Sequence, residues 1–182
     1  MAGPIEASEG VKFATTPEIL EEVHDPTIRV RISGWLDAHI LQPMEPGPDP
    51  LKQAKQAAAA TGDLRVLSAN DLTLLGLALE LAQAGADANV TLVCSDFAMQ
   101  NTARRLNIKV DTITKGIKAP IQWQWYCPAC KKVAASPDPA IKECDVCGTP
   151  LKRRDAARAL ERQRARPAHG QRAGKKTGRK NR

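Results

Sequence analysis

Four of the five cysteines fall in two pairs, Cys127-Pro-Ala-Cys130 and Cys144-Asp-Val-Cys147, with 13 residues between them. Two such pairs at this separation bring four thiolates around one tetrahedral Zn2+. Four cysteines fill the coordination sphere, so the metal is expected to be structural, with no open position for a reactant. Gly148 supplies the positive φ that the second knuckle needs. Ligation requires reduced thiols and so points to a cytoplasmic protein. The other reading of the four cysteines is two disulfides in a small secreted domain. Against it stand a long cysteine-poor body and the lack of a basic-then-apolar leader pattern. Cys94 lies apart, in the run Val-Thr-Leu-Val-Cys, and reads as a small buried residue rather than a ligand.

Three acids fall where chemistry is expected. Glu22 lies in a helix, Asp71 at the start of an apolar helix, and Asp96 just beyond an apolar strand. Ligands of open α/β sheets gather at the carboxyl ends of strands, which is the position of Asp96. Carboxylates that converge with no His or Ser partner suit a hard divalent cation, Mg2+ or Mn2+. Such an ion generates a hydroxide and stabilises the charge developing on a phosphodiester. The bland readings stay open: Ser68 and Asp71 have capping-box spacing, Asp96 suits the cap of the helix it opens, and Glu22 suits a solvated helix face.

Trp123, Trp125 and Tyr126 are three of the six aromatics in the chain, crowded directly before Cys127. In a strand, Trp123 and Trp125 share one face and Tyr126 points the other way. They either pack a core-poor zinc module against the body or stack on nucleic-acid bases. Packing is the preferred reading for at least one Trp. Lys131, Lys132, Lys152, Arg153 and Arg154 surround the module and suit phosphate contacts. The formal charge of +7 is unevenly placed: residues 152–182 hold 13 Lys and Arg against two acids, or +11, and residues 1–151 stand at −4. A basic tail of this kind binds polyanions with steep salt dependence, although a merely solvated tail has the same composition.

The elements that position these residues follow from local signals. Thr16-Pro17-Glu18 opens a helix expected to end near His24-Asp25, because Pro26 follows. Residues 39–46 read as a short edge strand limited by prolines. Pro50 to Thr61 is a helix stopped by Gly62. The segment from Leu72 to Ala82 is apolar nearly all round and reads as a buried helix. Val90–Cys94 reads as a buried parallel strand, Asp96–Leu106 as a helix, and Ile108–Ile113 as a last strand. This alternation predicts a parallel α/β sheet flanked by helices. No stretch of about 18 apolar residues is present, so no membrane-spanning helix is expected.

Three runs in this order resemble the PIN-domain nucleases: Ala14-Thr-Thr-Pro-Glu-Ile-Leu-Glu-Glu-Val-His-Asp25, Ala60-Thr-Gly-Asp-Leu-Arg-Val-Leu-Ser-Ala-Asn-Asp-Leu72, and Cys94-Ser-Asp-Phe-Ala-Met-Gln-Asn-Thr-Ala103. With a four-cysteine ribbon placed directly after, residues 11–154 resemble the archaeal ribosome-assembly endonucleases that mature the 3′ end of small-subunit rRNA. The resemblance implies a PIN-like domain over residues 1–118, a zinc ribbon with its aromatic lead-in over 119–154, and a basic tail over 155–182. It implies Mg2+- or Mn2+-dependent hydrolysis of RNA, with Glu22, Asp71 and Asp96 in the acidic cluster. The implied partners are precursor small-subunit rRNA and the assembling small ribosomal subunit, with other assembly factors.

The pattern also departs from that family. PIN domains begin with a central strand that ends in an Asp, and no such strand precedes Met1-Ala-Gly-Pro-Ile5. Glu6 and Glu9 sit in a polar loop-like run and do not replace it. Ser95 stands where the family often has a second Asp beside Asp96. A start codon assigned too far downstream, or a shortened chain, is the expected cause. The expected consequences are a gap in the sheet, a metal site short of one acid, and weak activity of the chain as written. Two other readings remain: a noncatalytic RNA-binding assembly factor, and a zinc-ribbon regulator that binds duplex DNA.

Overall fold

Up to residue 111, three-residue strands are interleaved with helices that begin with a proline in the first turn or behind a Ser or Asp cap. The computed structural model describes residues 11–85, 89–112, 116–117, 120–134 and 140–165. Strand β1 (Phe13–Thr15) leads into helix α1 (Pro17–Glu21), then α2 (Pro26–Asp37) and β2 (Leu41–Pro43). Next come α3 (Pro48–Thr61), α4 (Ala69–Gln83), β3 (Thr91–Val93), α5 (Phe97–Arg105) and β4 (Lys109–Asp111). Strand β5 (Trp123–Tyr126), β6 (Lys152–Asp155) and α6 (Ala156–Ala165) complete the order. β1 pairs with β2, and β3 with β4, both in parallel; β5 and β6 form an antiparallel pair. The fold is α/β, with a cysteine cluster after the parallel strands.

The centre of the body is a helix pair. α3 turns Ala54, Ala57 and Ala58 inward, and small side chains let α4 approach closely. At Gly76 of α4 a Cβ would stand 3.1 Å from the Leu51 backbone, tighter than ordinary contact. Glu80 of α4 reaches back and accepts the Gly47 N–H at 2.6 Å, capping the start of α3. Leu72, Leu75, Leu79, Leu92, Met99, Ala103 and Ile108 fill the space among α4, α5, β3 and β4. Leu75 is fully buried there. Leu75→Ala is expected to destabilise the protein by about 2–5 kcal/mol, read from urea unfolding, because the helix backbones hold the vacated space open.

The expected gap in the sheet is present among the described residues: the β1–β2 and β3–β4 pairs are not hydrogen-bonded to each other. A cavity of about 360 Å³ lies between them, lined by Phe13 and Thr15 on one side and Thr91 and Val93 on the other, with Leu77 and Leu81 beneath. β3 is not buried throughout as expected, since only Leu92 faces the core and Val93 is 41% exposed.

Two elements depart from the sequence expectation. α1 stops at Glu21 instead of running to His24-Asp25. Its Thr16 makes no capping bond and is fully buried. Asp25 begins a helix of its own: it accepts from the Thr27 and Ile28 N–H groups at 2.8 and 3.1 Å, with Pro26 in the first turn of α2. α2 buries no residue, and so leaves no amphipathic trace in the sequence. Among the described residues no helix is long and apolar enough to cross a membrane.

Candidate functional site

Helix starts place the acids. Ser68 caps α4 and forms a reciprocal capping box with Asp71: Asp71 N donates to Ser68 Oγ at 3.1 Å, and Asp71 Oδ2 accepts from Ser68 N at 2.8 Å and Ser68 Oγ at 2.7 Å. Asp96 caps α5 by accepting the Met99 N–H on Oδ1 at 2.8 Å. Glu22 is drawn to the same end of α4, where its Oε1 accepts from Asn70 Nδ2 at 2.6 Å. The capping roles of Asp71 and Asp96 are realised, and Glu22 lies at the Asp71 end of α4. Burial first, and then the charges of Asp96 and Asp71, push the Cys94 thiol up to about 11. The bonds described fall on one oxygen of each aspartate.

These carboxylates do not close to ligand distance. Among the described residues only the four cysteines gather ligand atoms within 4.8 Å of one another. A fit to Mg2+ is still chemically sound, because that ion keeps several waters and binds through one or two carboxylates plus substrate phosphates.

The cysteines fit a tetrahedral metal. Cys127 Sγ lies 3.4 Å from Cys147 Sγ, and Cys130 Sγ 3.6 Å from Cys144 Sγ. Metal–sulfur distances of about 2.3 Å set tetrahedral edges near 3.8 Å, close to these separations. The two knuckles repeat one geometry. Lys131 N donates to Cys127 O, Gly148 N donates to Cys144 O, and the two donors have φ of 65° and 66°. The Thr149 hydroxyl and backbone N–H hold the Cys147 thiol down to about 6, so a thiolate forms readily near neutral pH.

The aromatic lead-in and the basic residues are divided between two faces. The Trp123 and Trp125 side chains share the body-facing side of β5, while Tyr126 points away. The Arg153 guanidinium lies 4.3 Å from the Trp123 ring centre, Arg65 of the body 4.8 Å from Trp125, and Arg154 4.4 Å from Tyr126. Both tryptophans are thus covered by arginines and pack the ribbon stem on the body. Lys132 is paired with Asp145 at 2.7 Å, which raises its pKa, and Lys131 Nζ donates to Pro128 O. Lys152 is exposed at the edge of β6. The tail beyond Ala165 lies outside the described residues.

The junction of body and ribbon holds residues that the motif search passes over. Asp63, Gln100 and Asn101 are buried, and Asp63 is fully so. Asn101 Nδ2 donates to Asp63 Oδ2 and to Ile121 O, each at 2.6 Å, and Asn101 Oδ1 accepts from Ile121 N at 2.7 Å. Arg153 Nη1 donates to Asp63 Oδ1 at 2.9 Å. Gln100 Oε1 accepts from Ile117 N at 3.0 Å. Burial pushes the Asp63 carboxyl above its ordinary value, outweighing the bonds from Asn101 and Thr61 and the Arg153 charge. The available signal is three polar residues, Gln100-Asn101-Thr102, in a helix that otherwise packs inward.

Comparison with known proteins places this arrangement. Residues 6–81 match the family described as the PIN domain of ribonuclease. The chain is 34% identical over 139 residues to the endoribonuclease Nob1 of Pyrococcus abyssi, covering 76% of this chain and 81% of that protein. It is 34% identical over 151 residues to endoribonuclease Nob1 of Methanocaldococcus jannaschii, covering 82% and 71%. A shorter match, 36% over 69 residues, reaches the 20S-pre-rRNA D-site endonuclease NOB1 of Saccharomyces cerevisiae, covering 38% and 15%. A four-thiol cluster after an α/β body and relatives matched along most of their length agree: the chain belongs to the Nob1 endoribonuclease family.

Proposed function

We propose that the protein is a metal-dependent endoribonuclease of ribosome biogenesis that cleaves precursor small-subunit rRNA near its 3′ end. The observation that supports it most is the likeness to endoribonucleases along most of the chain, with Asp71 and Asp96 each at a helix start and Glu22 bonded to Asn70 beside Asp71. The three acids would hold Mg2+ or Mn2+, which supplies a nucleophile at neutral pH and neutralises charge on the scissile phosphate. The chain's own part is positional. Two helix N-termini fix Asp71 and Asp96 by one oxygen each, so that the carboxylates do not rotate when substrate arrives. The cysteines would hold one structural Zn2+, and the ribbon and basic tail would bind rRNA within the assembling small subunit. In this reading the nuclease domain covers residues 1–118, the ribbon 119–154 and the tail 155–182, and the protein acts in the cytoplasm with other assembly factors. Lys131, Lys132, Lys152 and Arg154 remain the proposed RNA contacts, whereas Arg153, Trp123 and Trp125, which the sequence also suggested, are engaged at the junction of ribbon and body.

Asp96→Asn tests the reading, because the amide keeps an acceptor for the Met99 N–H and removes the charge. Cleavage of a precursor rRNA in Mn2+ is expected to fall by about 100-fold or more, the usual scale for losing one preorganised charge at a reacting centre. Unchanged cleavage would remove Asp96 from the site. Binding without any cleavage, even by an N-terminally extended chain, would favour the noncatalytic assembly factor, and preference for duplex DNA would favour the regulator.

A further inference from the structure

Both strands of the ribbon stem converge on one buried carboxylate of the body. Ile121, two residues before β5, is gripped through its N–H and C=O by Asn101, whose amide also donates to Asp63 Oδ2. Arg153, on β6 beyond all four cysteines, reaches the other oxygen of the same Asp63. Asn101 thereby uses both donors and its acceptor, a set that Asp, Leu or Ala does not offer. Gly62, at the end of α3, lets the stem approach: a Cβ there would stand 2.2 Å from the Trp123 carbonyl oxygen, and its φ is +76°. Asn101 lies on α5, the helix that Asp96 caps, five residues on and so about 7.5 Å along the axis.

We propose that Asp63 and Asn101 are positioning residues that latch the ribbon at a fixed place relative to the acid-bearing end of α5, and so determine which phosphodiester is presented to the acids. The proposal rests on the endoribonuclease reading for its consequence, but the latch itself is a matter of geometry. A purely apolar contact would dock the stem about as stably while allowing it to slide, because a buried ion pair adds little net stability over packed hydrophobic groups. Directional bonds to a main-chain N–H and C=O admit one register. RNA held by the ribbon then meets the acids at one distance, and a shift of about 1 Å in such placement costs about 100-fold in rate.

The test uses the full, zinc-loaded chain and two variants that open the latch differently. Asn101→Leu removes three bonds at nearly constant volume, and Gly62→Ala wedges the junction while leaving the Asn101 side chain intact. Leu75→Ala, in the core away from the stem, controls for lost stability. Amide 15N relaxation reports whether ribbon and body tumble together, and end-mapping of a precursor small-subunit rRNA reports the bond cut. In the parent chain and Leu75→Ala we expect one tumbling time and one product end. In the latch variants we expect faster ribbon tumbling with zinc retained, cleavage spread over neighbouring bonds, and about 100-fold slower cutting at the original one. If Asn101→Leu does not fold, Gly62→Ala carries both readouts. A single tumbling time in a folded latch variant overturns the latch. A released ribbon with an unchanged product end overturns the positioning role. A parent chain that tumbles as one body but cuts no RNA, even when extended at its N-terminus, overturns the nuclease reading, and with it only the consequence for cleavage.

Discussion

Stripping the metal proposed for the four cysteines with a strong chelator unfolds the ribbon and leaves the helical body intact. That result is expected because the ribbon has almost no core of its own. Among its described residues only Cys127 and Cys144 are buried apolar groups, and Val133, Ile141 and Val146 are 40–63% exposed. Among the described residues each knuckle is flanked by one isolated bridge, Tyr126 with Val133 and Glu143 with Pro150. Structural zinc contributes about 10–16 kcal/mol to modules of this size, against which two bridges are minor. The body depends on a different cluster, built by α3, α4, α5 and β3, to which no cysteine ligand belongs. Amide spectra should therefore lose the dispersed signals of residues 127–151 and keep those of residues 48–111. Cys144→Ser should reproduce this without chelator, since three thiolates do not close the tetrahedron. Coincident loss of both sets of signals would show that the metal supports the whole chain.

The ribbon was legible because its chemistry is local: each knuckle is four residues long, and the metal dictates the residue type. The longer helices were legible for a related reason. α4 has Ser68 at its cap and leucines all round, and α3 has Gly62 at its end, in the left-handed conformation that the sequence implied. α2 was hidden, since a helix that buries nothing has no apolar stripe. Asp25-Pro26, a cap followed by proline in the first turn, was the remaining sign of it. β1 was hidden by its length, because Phe13-Ala14-Thr15 is too short for an alternation to register. The acids were proposed by position alone, and a contact such as Glu22 with Asn70, 48 residues apart, has no local signal. The junction was the least legible part. Asp63 and Arg153 are 90 residues apart, and each alone looks like a surface charge.

Arg153→Ala is expected to be the most damaging single change outside the core and the zinc ligands, at about 3–5 kcal/mol near neutral pH. The loss comes from what remains rather than from what is removed. Asp63 is fully buried, and without its cation the carboxylate keeps Asn101 but loses the charge that offsets part of its desolvation. The pH dependence has a definite sign. Burial already raises the Asp63 pKa above its unfolded value, so folding is favoured below that value and loses stability as pH rises through the folded pKa. Removing Arg153 raises the folded pKa further and widens the window of loss. The variant should therefore lie closest to the parent in acid, where Asp63 is protonated in both states, and diverge as pH rises toward neutrality. Denaturant unfolding at a series of pH values measures this directly. Adding Asp63→Asn to Arg153→Ala should recover much of the stability near neutral pH, since a neutral amide leaves no stranded charge beside Asn101. It should not restore the register of the ribbon, because no group on β6 then reaches the body at that point. A penalty that stays constant with pH, or that grows toward acid, would mean that Arg153 acts through its packing on Trp123 rather than through the buried carboxylate.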